Sequence, residues 1–171
     1  MIKRIEYGEY WSDYYQGWRY PFSEAEARRR HEAREIYTAL IDQDDGSRLA
    51  LELCFAFSYC NIFFLDAQGR CVLRHTFEPT DAGRLFLCEI STGEYEGDDR
   101  WPMRGISFNY TQDGRVKTLL CTPRSITVLG ENEPADVRLH DEPVPAFGAW
   151  ESLIRRDRTR PAGLPSIVRA P

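Results

Sequence analysis

The residues best suited to chemistry or binding are concentrated in the segment STGEYEGDDRWPM, residues 91–103. Its four carboxylates and two large rings are Glu94, Glu96, Asp98, Asp99, Tyr95 and Trp101. Carboxylates attract basic partners and set specificity, and tyrosine and tryptophan are enriched where one protein holds another. The segment joins two predicted strands and is too long for a hairpin turn; such loops are usually functional or disordered. We therefore predict a partner-binding surface here, with a solvated loop that binds nothing as the alternative.

A second concentration of rings lies in EYGEYWSDYYQGWRYPF, residues 6–22, where eight of the 17 positions are aromatic. These rings either pack an amino-terminal arm onto a sheet or stand exposed as a rim for a partner. We expect a mixture, with Trp11 and Trp18 mostly buried. The rings expected to be partly exposed, and to join the partner-binding surface, are Tyr10, Tyr14 and Tyr15.

Standard catalytic and cofactor motifs do not occur in the sequence. It has no G-x-G-x-x-G or G-x-x-x-x-G-K-[ST] phosphate loop, no H-E-x-x-H and no G-x-S-x-G. An enzyme with a dispersed site, in which His75 or His140 meets a carboxylate, is one alternative. Convergence of Asp98, Asp99 and Asp113 on a metal ion is another. Neither is favoured, and we predict no catalytic residue, no cofactor and no metal site.

The charge balance limits the kinds of partner. The chain carries 22 Lys and Arg against 27 Asp and Glu, a net charge of −5. Nucleic acids and anionic membranes attract basic patches, so neither is expected as a partner, whereas a basic protein is. No apolar run has the length that a signal peptide or a membrane span needs. The five cysteines include no CxxC pair, so we expect free thiols and a cytoplasmic location.

The predicted elements begin with an aromatic arm, residues 1–22, and a helix at residues 23–35. Because the arm contains glycine and proline, we expect it to be irregular or to hold one short helical turn. Ser23 and Glu26 have the spacing of a capping box at the start of the helix. Two pairs at the favourable four-residue spacing support it, Glu24–Arg28 and Glu26–Arg30. The helix offers only alanines to a core, so it is predicted to lie on the surface.

Residues 36–140 alternate between apolar and polar side chains, the pattern of half-buried strands. The turn dipeptides between these runs, which are typical of hairpins, are Asp45-Gly46, Gln68-Gly69 and Asp113-Gly114. No helical segment separates the strands, so parallel crossover units are excluded. We predict an α+β, mainly β protein with an antiparallel meander of about eight strands. The meander is expected to form a twisted sheet, a half-barrel or a sandwich.

A single domain is expected to span residues 1–171, because this length suits one hydrophobic core. After the strands, Phe147, Trp150 and Leu153 recur at helical spacing and predict a short helix at residues 147–156 that covers the sheet. Residues 157–171 contain three prolines and are expected to be an extended tail.

The order of these features resembles the immunity proteins of bacterial polymorphic-toxin systems, including those paired with type VI secretion effectors. The resemblance lies in the aromatic-rich start, the hairpins FFLDAQGRCVLRHTF and FNYTQDGRVKTLL, the acidic loops and the closing PAFGAWESLIRR segment. It covers residues 36–156 and concerns the general architecture of this region. It implies a cytoplasmic protein, not an enzyme, that binds one cognate toxin and blocks its active site. It assigns no site residue.

Two hypotheses of function follow. In the first, the carboxylates of residues 91–103 stand in for phosphate charge in the basic active-site cleft of a toxin, while Tyr95 and Trp101 fill a neighbouring pocket. In the second, a β-barrel-like protein binds a hydrophobic small ligand. The rings that would line its cavity are Phe55, Phe57, Phe63 and Phe86. The oligomeric state is left open.

Overall fold

The structure, a computed structural model, describes residues 2–12, 17–54 and 59–158. Within these ranges the chain forms one helix, α1 (Glu24–Glu32), and eleven strands. The strands are β1 (Ile2–Ser12), β2 (Gly17–Phe22), β3 (Tyr37–Gln43), β4 (Arg48–Cys54), β5 (Tyr59–Leu65), β6 (Cys71–Pro79), β7 (Arg84–Thr92), β8 (Gly105–Tyr110), β9 (Arg115–Thr122), β10 (Ser125–Pro134) and β11 (Asp141–Pro143).

All the strands belong to one antiparallel sheet in the order β10-β9-β8-β7-β6-β5-β4-β3-β1-β2, with β11 paired to the start of β7. In the described part of the chain β2 and β10 are the two edges, so the sheet is open rather than closed into a barrel. The mainly β antiparallel meander is therefore confirmed. Eight of the predicted strand runs are β3 to β10, whereas the last predicted run, DVRLH at residues 136–140, does not form a strand.

Four of the hairpin turns share one geometry. They span residues 43–47, 66–70, 80–84 and 111–115. In each, the first amide donates to the last carbonyl, and the fourth residue donates to the first carbonyl, at 2.8–3.1 Å. The fourth residue is glycine with φ between 69° and 84°, which glycine adopts without steric cost. The three predicted turns are confirmed, and the turn that contains Gly83 is a fourth of the same type.

The aromatic arm, expected to be irregular, is instead a β-hairpin at the sheet edge. β1 pairs with β3, with Ile5 opposite Ile41, and with β2, with Trp11 opposite Trp18. The two indole rings meet edge to face with centroids 5.3 Å apart. Aromatic side chains favour strands because they pack well on a pleated surface, and this outweighs the glycines of the arm. Pro21 lies on the edge strand, where sheets tolerate proline.

The sheet has two faces, and one of them, the core face, is covered. Cross-strand pairing aligns a buried row along this face, Leu51, Ile62, His75, Ile90 and Phe108. The cover consists of α1, which contributes Ala27, and of residues 135–158. Burying this row removes apolar surface from water, at about 25 cal/mol for each Å².

Helix α1 begins as its sequence indicates. The Ser23 hydroxyl accepts a hydrogen bond from the Glu26 amide at 3.3 Å. Arg28 donates to Glu24 at 3.3 Å and Arg30 donates to Glu26 at 2.9 Å, so both predicted pairs form. The helix ends at Glu32, three residues earlier than predicted.

The helix predicted at residues 147–156 does not form. The segment is a series of turns, in which the Ala149 amide donates to the Ala146 carbonyl and the Ile154 amide to the Trp150 carbonyl, at 3.0 and 3.1 Å. Gly148 has a φ of +89°, a conformation outside the helical region, so no helix can run through it. The apolar residues of the segment are still buried: Trp150 and Leu153 are fully enclosed against the core face.

A buried ion pair holds this covering segment in place. Arg158 donates to Glu142 at 2.7 Å, and both residues are buried. The same guanidinium donates to the carbonyls of Leu139 and Ser152, and it lies 5.0 Å from the ring centroid of Phe77. Arg158 was expected to belong to an exposed tail. It is instead the residue that ties the end of the described chain to β11 and β6.

Replacement of Arg158 by alanine is expected to lower the free energy of unfolding by about 3–5 kcal/mol, because it leaves the Glu142 carboxylate buried without its partner. Arg155→Ala is the matched control. Arg155 donates to the same carboxylate at 2.9 Å but is largely exposed, so its loss is expected to cost less than about 1 kcal/mol. Denaturant unfolding of the two variants measures the difference. Equal losses would contradict the role given to Arg158.

His140 is buried where residues 135–158 meet β7. Its Nδ1 donates to the Leu87 carbonyl at 2.9 Å, and the Leu87 amide donates to the His140 carbonyl at 2.8 Å. The ring meets Tyr110 edge to face with centroids 4.5 Å apart. Burial lowers the pKa of His140, and nearby Arg158 lowers it further. The folded protein therefore holds this imidazole neutral.

We expect stability to fall as the pH drops below about 6.5, the ordinary histidine pKa, because the unfolded chain then binds a proton that folded His140 resists. Stability conferred by the neutral ring is fully present above that pH. The free energy of unfolding of His140→Gln, measured with denaturant between pH 5 and 8, should depend less steeply on pH than that of the unchanged chain. His31, whose pKa burial also lowers, contributes to the pH dependence of both proteins. An unchanged slope in His140→Gln would contradict this assignment.

Candidate functional site

The second face of the sheet, here called the outer face, carries the residues that alternate with those of the core face. Cross-strand pairing aligns a polar row over seven strands: Thr38, Glu52, Asn61, Thr76, Glu89, Asn109 and Lys117. The next row is Leu40, Ala50, Phe63, Arg74, Ser91, Ser107 and Leu119. Helix α1 and residues 135–158 pack on the core face, so these described elements do not cover the outer face.

Glu89 organises the polar side chains at the centre of the outer face. Arg74 donates to both of its carboxylate oxygens, at 2.9 and 3.0 Å, and the Ser107 hydroxyl donates to one of them at 2.9 Å. The Asn109 amide then donates to the Ser107 hydroxyl at 3.0 Å. This network satisfies a half-buried charge and fixes the side chains around it. The floor of the outer face is therefore ordered and polar.

The hairpin of β1 and β2 bounds the outer face on one side. Trp11 and Trp18 are partly buried, as expected, and pack against the cluster of Leu40, Ala50 and Leu65. The indole N–H of Trp18 donates to Glu6 at 3.0 Å. Tyr10 remains 47% exposed and lines a cavity of about 130 Å³ together with Trp11 and Phe63. The hairpin thus forms an aromatic wall.

Residues 93–104, here called the acidic loop, bound the outer face on the other side. The loop is closed at its base by Glu94 and Arg104. The Glu94 amide donates to the Arg104 carbonyl at 2.8 Å, and the Met103 amide donates to the Glu94 carbonyl at 2.7 Å. The Arg104 guanidinium also donates to the Glu94 carboxylate at 2.6 Å. Glu94 is therefore engaged in closing the loop.

Arg70 and Tyr95 fasten the acidic loop to the turn between β5 and β6. The Tyr95 hydroxyl donates to the Cys71 carbonyl at 2.9 Å. The Arg70 guanidinium lies 4.6 Å from the Tyr95 ring centroid and donates to the Gly97 carbonyl at 2.7 Å. Arg70 is itself oriented by Asp66, which accepts from its Nε at 2.8 Å. These contacts hold the loop by its main chain and by one ring.

The outward side of the acidic loop carries three carboxylates and an indole. Glu96, Asp98 and Asp99 are exposed, and Trp101 is 73% exposed. Gln68 donates to Asp98 at 2.9 Å. Among the described residues, no cationic side chain pairs with any of the three carboxylates. The loop therefore presents uncompensated negative charge beside a large ring.

A groove runs over the outer face between the hairpin and the acidic loop. Its larger part is a cavity of about 360 Å³ whose lining includes Phe63, Arg74, Tyr95 and Trp101. Phe63 also lines the smaller cavity beside Tyr10, so the two cavities adjoin. The groove has a polar floor and aromatic residues at both ends, an arrangement suited to receiving a protruding segment of another molecule.

The predicted site residues fall into three groups. Glu96, Asp98, Asp99 and Trp101 stand together on the outward side of the acidic loop. Glu94 and Tyr95 position that loop, and Tyr10 lies on the opposite wall of the groove. Tyr14 and Tyr15 lie outside the described residues. That these groups bind a partner stays a prediction.

Sequence reasoning overlooked the groove floor and the fastening of the loop. Alternation along β6 indicates only that Arg74 and His75 lie on opposite faces. Phe63 lies opposite Arg74 because the pairing shifts register between Phe64 and Leu65, and the Gln68-Gly69 turn does not indicate this shift. No local pattern indicates that Arg70 contacts Tyr95, because the two residues lie on different connections.

The residues required by the rival hypotheses do not meet in this groove. His75 is buried on the core face against Phe64, and His140 is buried under residues 135–158. Phe63 and Phe86 belong to separate hydrophobic clusters, while Phe55 and Phe57 lie outside the described residues. In residues 2–12, 17–54 and 59–158, no three His, Cys, Asp or Glu side chains are grouped to hold a metal ion, and Asp98, Asp99 and Asp113 do not converge.

The one helix of the described chain is too short and too polar to cross a membrane. Comparison of the chain with models of known protein families, with curated protein sequences and with solved structures finds no match.

Tyr95→Phe tests the fastening of the acidic loop. The change removes one hydrogen bond, worth about 1 kcal/mol, and leaves the ring under Arg70 in place. Amide hydrogen exchange within residues 93–104 is expected to become about fivefold faster, while the free energy of unfolding changes by less than about 1 kcal/mol. Tyr20→Phe, in the exposed part of β2, is the control and should leave exchange in the loop unchanged. Equal exchange in Tyr95→Phe and the unchanged chain would show that the hydroxyl does not hold the loop.

Proposed function

We propose that this chain is a cytoplasmic immunity protein that binds a cognate bacterial toxin and occludes its active site. The observation that carries the proposal is the composition of the acidic loop, in which Glu96, Asp98 and Asp99 are exposed and the nearby Trp101 is 73% exposed. The resemblance in the order of sequence features points in the same direction. No residue of the groove is assigned a catalytic role.

The acidic loop suits tight binding because it is already ordered in the free protein. A loop that must be fixed on association loses conformational entropy and with it affinity. Here the hydrogen bonds of Arg70 to Gly97 and of Tyr95 to Cys71 fix the loop beforehand, at 2.7 and 2.9 Å. The carboxylates can therefore meet a partner without a large ordering cost.

The charge and shape of this surface indicate the chemistry of the partner. Three uncompensated carboxylates attract a basic surface and raise its association rate, particularly at low salt. A toxin that acts on nucleic acid or nucleotides has such a surface in its active-site cleft, where these carboxylates would replace phosphate groups. Trp101 would fill a pocket at the centre of the contact, the role in which tryptophan contributes most binding energy.

The outer face is large enough for such a complex. Stable complexes bury about 800 Å² on each partner. With strands about 4.8 Å apart, the seven strands from β3 to β9 give a surface about 30 Å wide. A toxin bound to the acidic loop could thus also reach the groove and Tyr10 on its far wall.

A small ligand in the groove is the second candidate function, and the cavity of about 360 Å³ favours it. The floor of that cavity includes Arg74 and Glu89, whose ion pair and hydrogen bonds would be desolvated under an apolar ligand. A hydrophobic ligand therefore fits the floor poorly. A protein side chain or a polar aromatic group fits it better.

The test uses the protein encoded by the neighbouring gene, which the proposal expects to carry a toxic domain. Co-expression of the chain should restore growth of cells that produce this domain, and the two purified proteins should form a complex. Reversal of Glu96, Asp98 and Asp99 to lysine is expected to slow association by about tenfold or more, with a weaker salt dependence, because electrostatic attraction is lost. Glu94 is left unchanged, since it closes the loop.

The matched control reverses three exposed acids elsewhere, Glu78, Asp81 and Glu151, which gives the same change in net charge. This variant should bind and protect like the unchanged chain. Circular dichroism checks that both variants are folded. The proposal is overturned if the chain neither binds nor protects against the neighbouring domain. If the loop variant and the control behave alike, the acidic loop is not the docking surface.

A further inference from the structure

The two edges of the described sheet differ in how they are protected. Edge strands expose unpaired N–H and C=O groups, and proteins commonly blunt them with proline, charge or irregular backbone. In β2, Pro21 lacks an N–H and Tyr20 has a φ of +54°. Residues 125–129 of β10, SITVL, contain neither proline nor charge, and each of them is exposed. No described strand pairs with their outer side.

The unprotected edge also exposes large apolar side chains. Ile126 is 70% exposed, and Val128 and Leu129 are each about half exposed. Ile126 lies opposite Cys121 and Val128 opposite Leu119, so both extend the rows of the outer face. Exposed β-branched residues on an unpaired edge are a template for another strand. An edge of this kind is stable in solution when a partner strand covers it.

The charges at the ends of this stretch indicate which strand covers it. Arg124 precedes it, and Glu131 and Glu133 follow it; Glu131 also accepts from Lys117 of β9 at 2.8 Å, so Glu133 is the acid of this end without an ion pair among the described residues. If two copies of the strand pair antiparallel, the basic end of each lies beside the acidic end of the other. Parallel pairing would place like charges together. The strand is therefore complementary to itself in the antiparallel direction only.

We propose that β10 pairs with β10 of a second copy of this chain, so that two sheets join into one through a two-fold axis near Thr127. The regular pairing of β10 with β9 holds from Ser125 to Val128 and then shifts register, which confines the contact to residues 125–129. Because such an axis is perpendicular to the sheet, the outer faces of both copies lie on the same side. This inference is independent of the proposed function.

The first experiment is sedimentation velocity of the full chain over a dilution series. The unchanged chain is expected to shift from dimer to monomer on dilution. Val128→Lys places a charge in the contact and should raise the dissociation constant by about tenfold or more. Leu139→Lys is the matched control, because Leu139 and Val128 are each about half exposed and Leu139 lies outside β10. It should dimerise like the unchanged chain.

The second experiment exchanges the charges at the strand ends. Arg124→Glu gives a strand that is acidic at both ends, and the double change Glu131→Arg with Glu133→Arg gives one that is basic at both ends. Each variant alone should dimerise more weakly than the unchanged chain. Mixed together, they should form a heterodimer, because each end then faces its opposite.

Amide hydrogen exchange locates the contact. Residues 125–129 should be protected at high concentration and lose protection on dilution, with no comparable change in β2. The proposal is overturned if the unchanged chain is monomeric throughout the dilution series, or if Val128→Lys leaves the dissociation constant of the dimer unchanged. Failure of the two charge variants to associate with each other would also overturn it. Protection of residues 125–129 only on addition of a different protein would also overturn it, in favour of strand addition by that protein.

Discussion

A single antiparallel sheet has two faces, and helix α1 and residues 135–158 of the described chain pack on only one of them. Most of this cover is the segment from residue 135 to residue 158, in which the short strand β11 is the one regular element. Its position therefore depends on a few strong contacts, above all the buried pair of Glu142 and Arg158. Trp150 and Leu153 can stay enclosed because that pair ties the segment to the sheet. The organisation of both faces follows from this one constraint.

The outer face of the sheet is polar where it is open to solvent and is covered where it is apolar. Its central rows are polar, and Glu89 binds Arg74 and Ser107 in a network that leaves few groups unsatisfied. Where the face becomes apolar, around Leu40 and Ala50, the aromatic hairpin covers it. The acidic loop shields the opposite side. The groove lies between these two covering elements. Its position is therefore determined by the hairpin and the acidic loop, and its lining is suited to binding.

Features fixed by neighbouring residues could be predicted from the sequence, and features fixed across the sheet could not. The turns at Gly46, Gly69 and Gly114 and the cap at Ser23 depend on residues within four positions of one another. The exposure of the acidic loop followed from its composition. The strands of the arm were missed because β1 pairs with β3, which lies beyond the intervening helix, and β2 in turn pairs with β1. The turns around Gly148 were missed because apolar spacing indicates which side chains are buried without fixing the backbone.

The contacts that hold the acidic loop in its conformation are largely separate from the side chains that the loop exposes to solvent. Arg70 contacts the carbonyls of Gly97 and Asp99, and Glu94 and Arg104 are joined through their backbones, so most of these contacts need no particular side chain at the tip. Residues 96, 98, 99 and 101 can therefore be exchanged during evolution while the loop keeps its path. Substitutions at these four positions would change the chemistry of the exposed surface while the contacts that hold the loop stay in place.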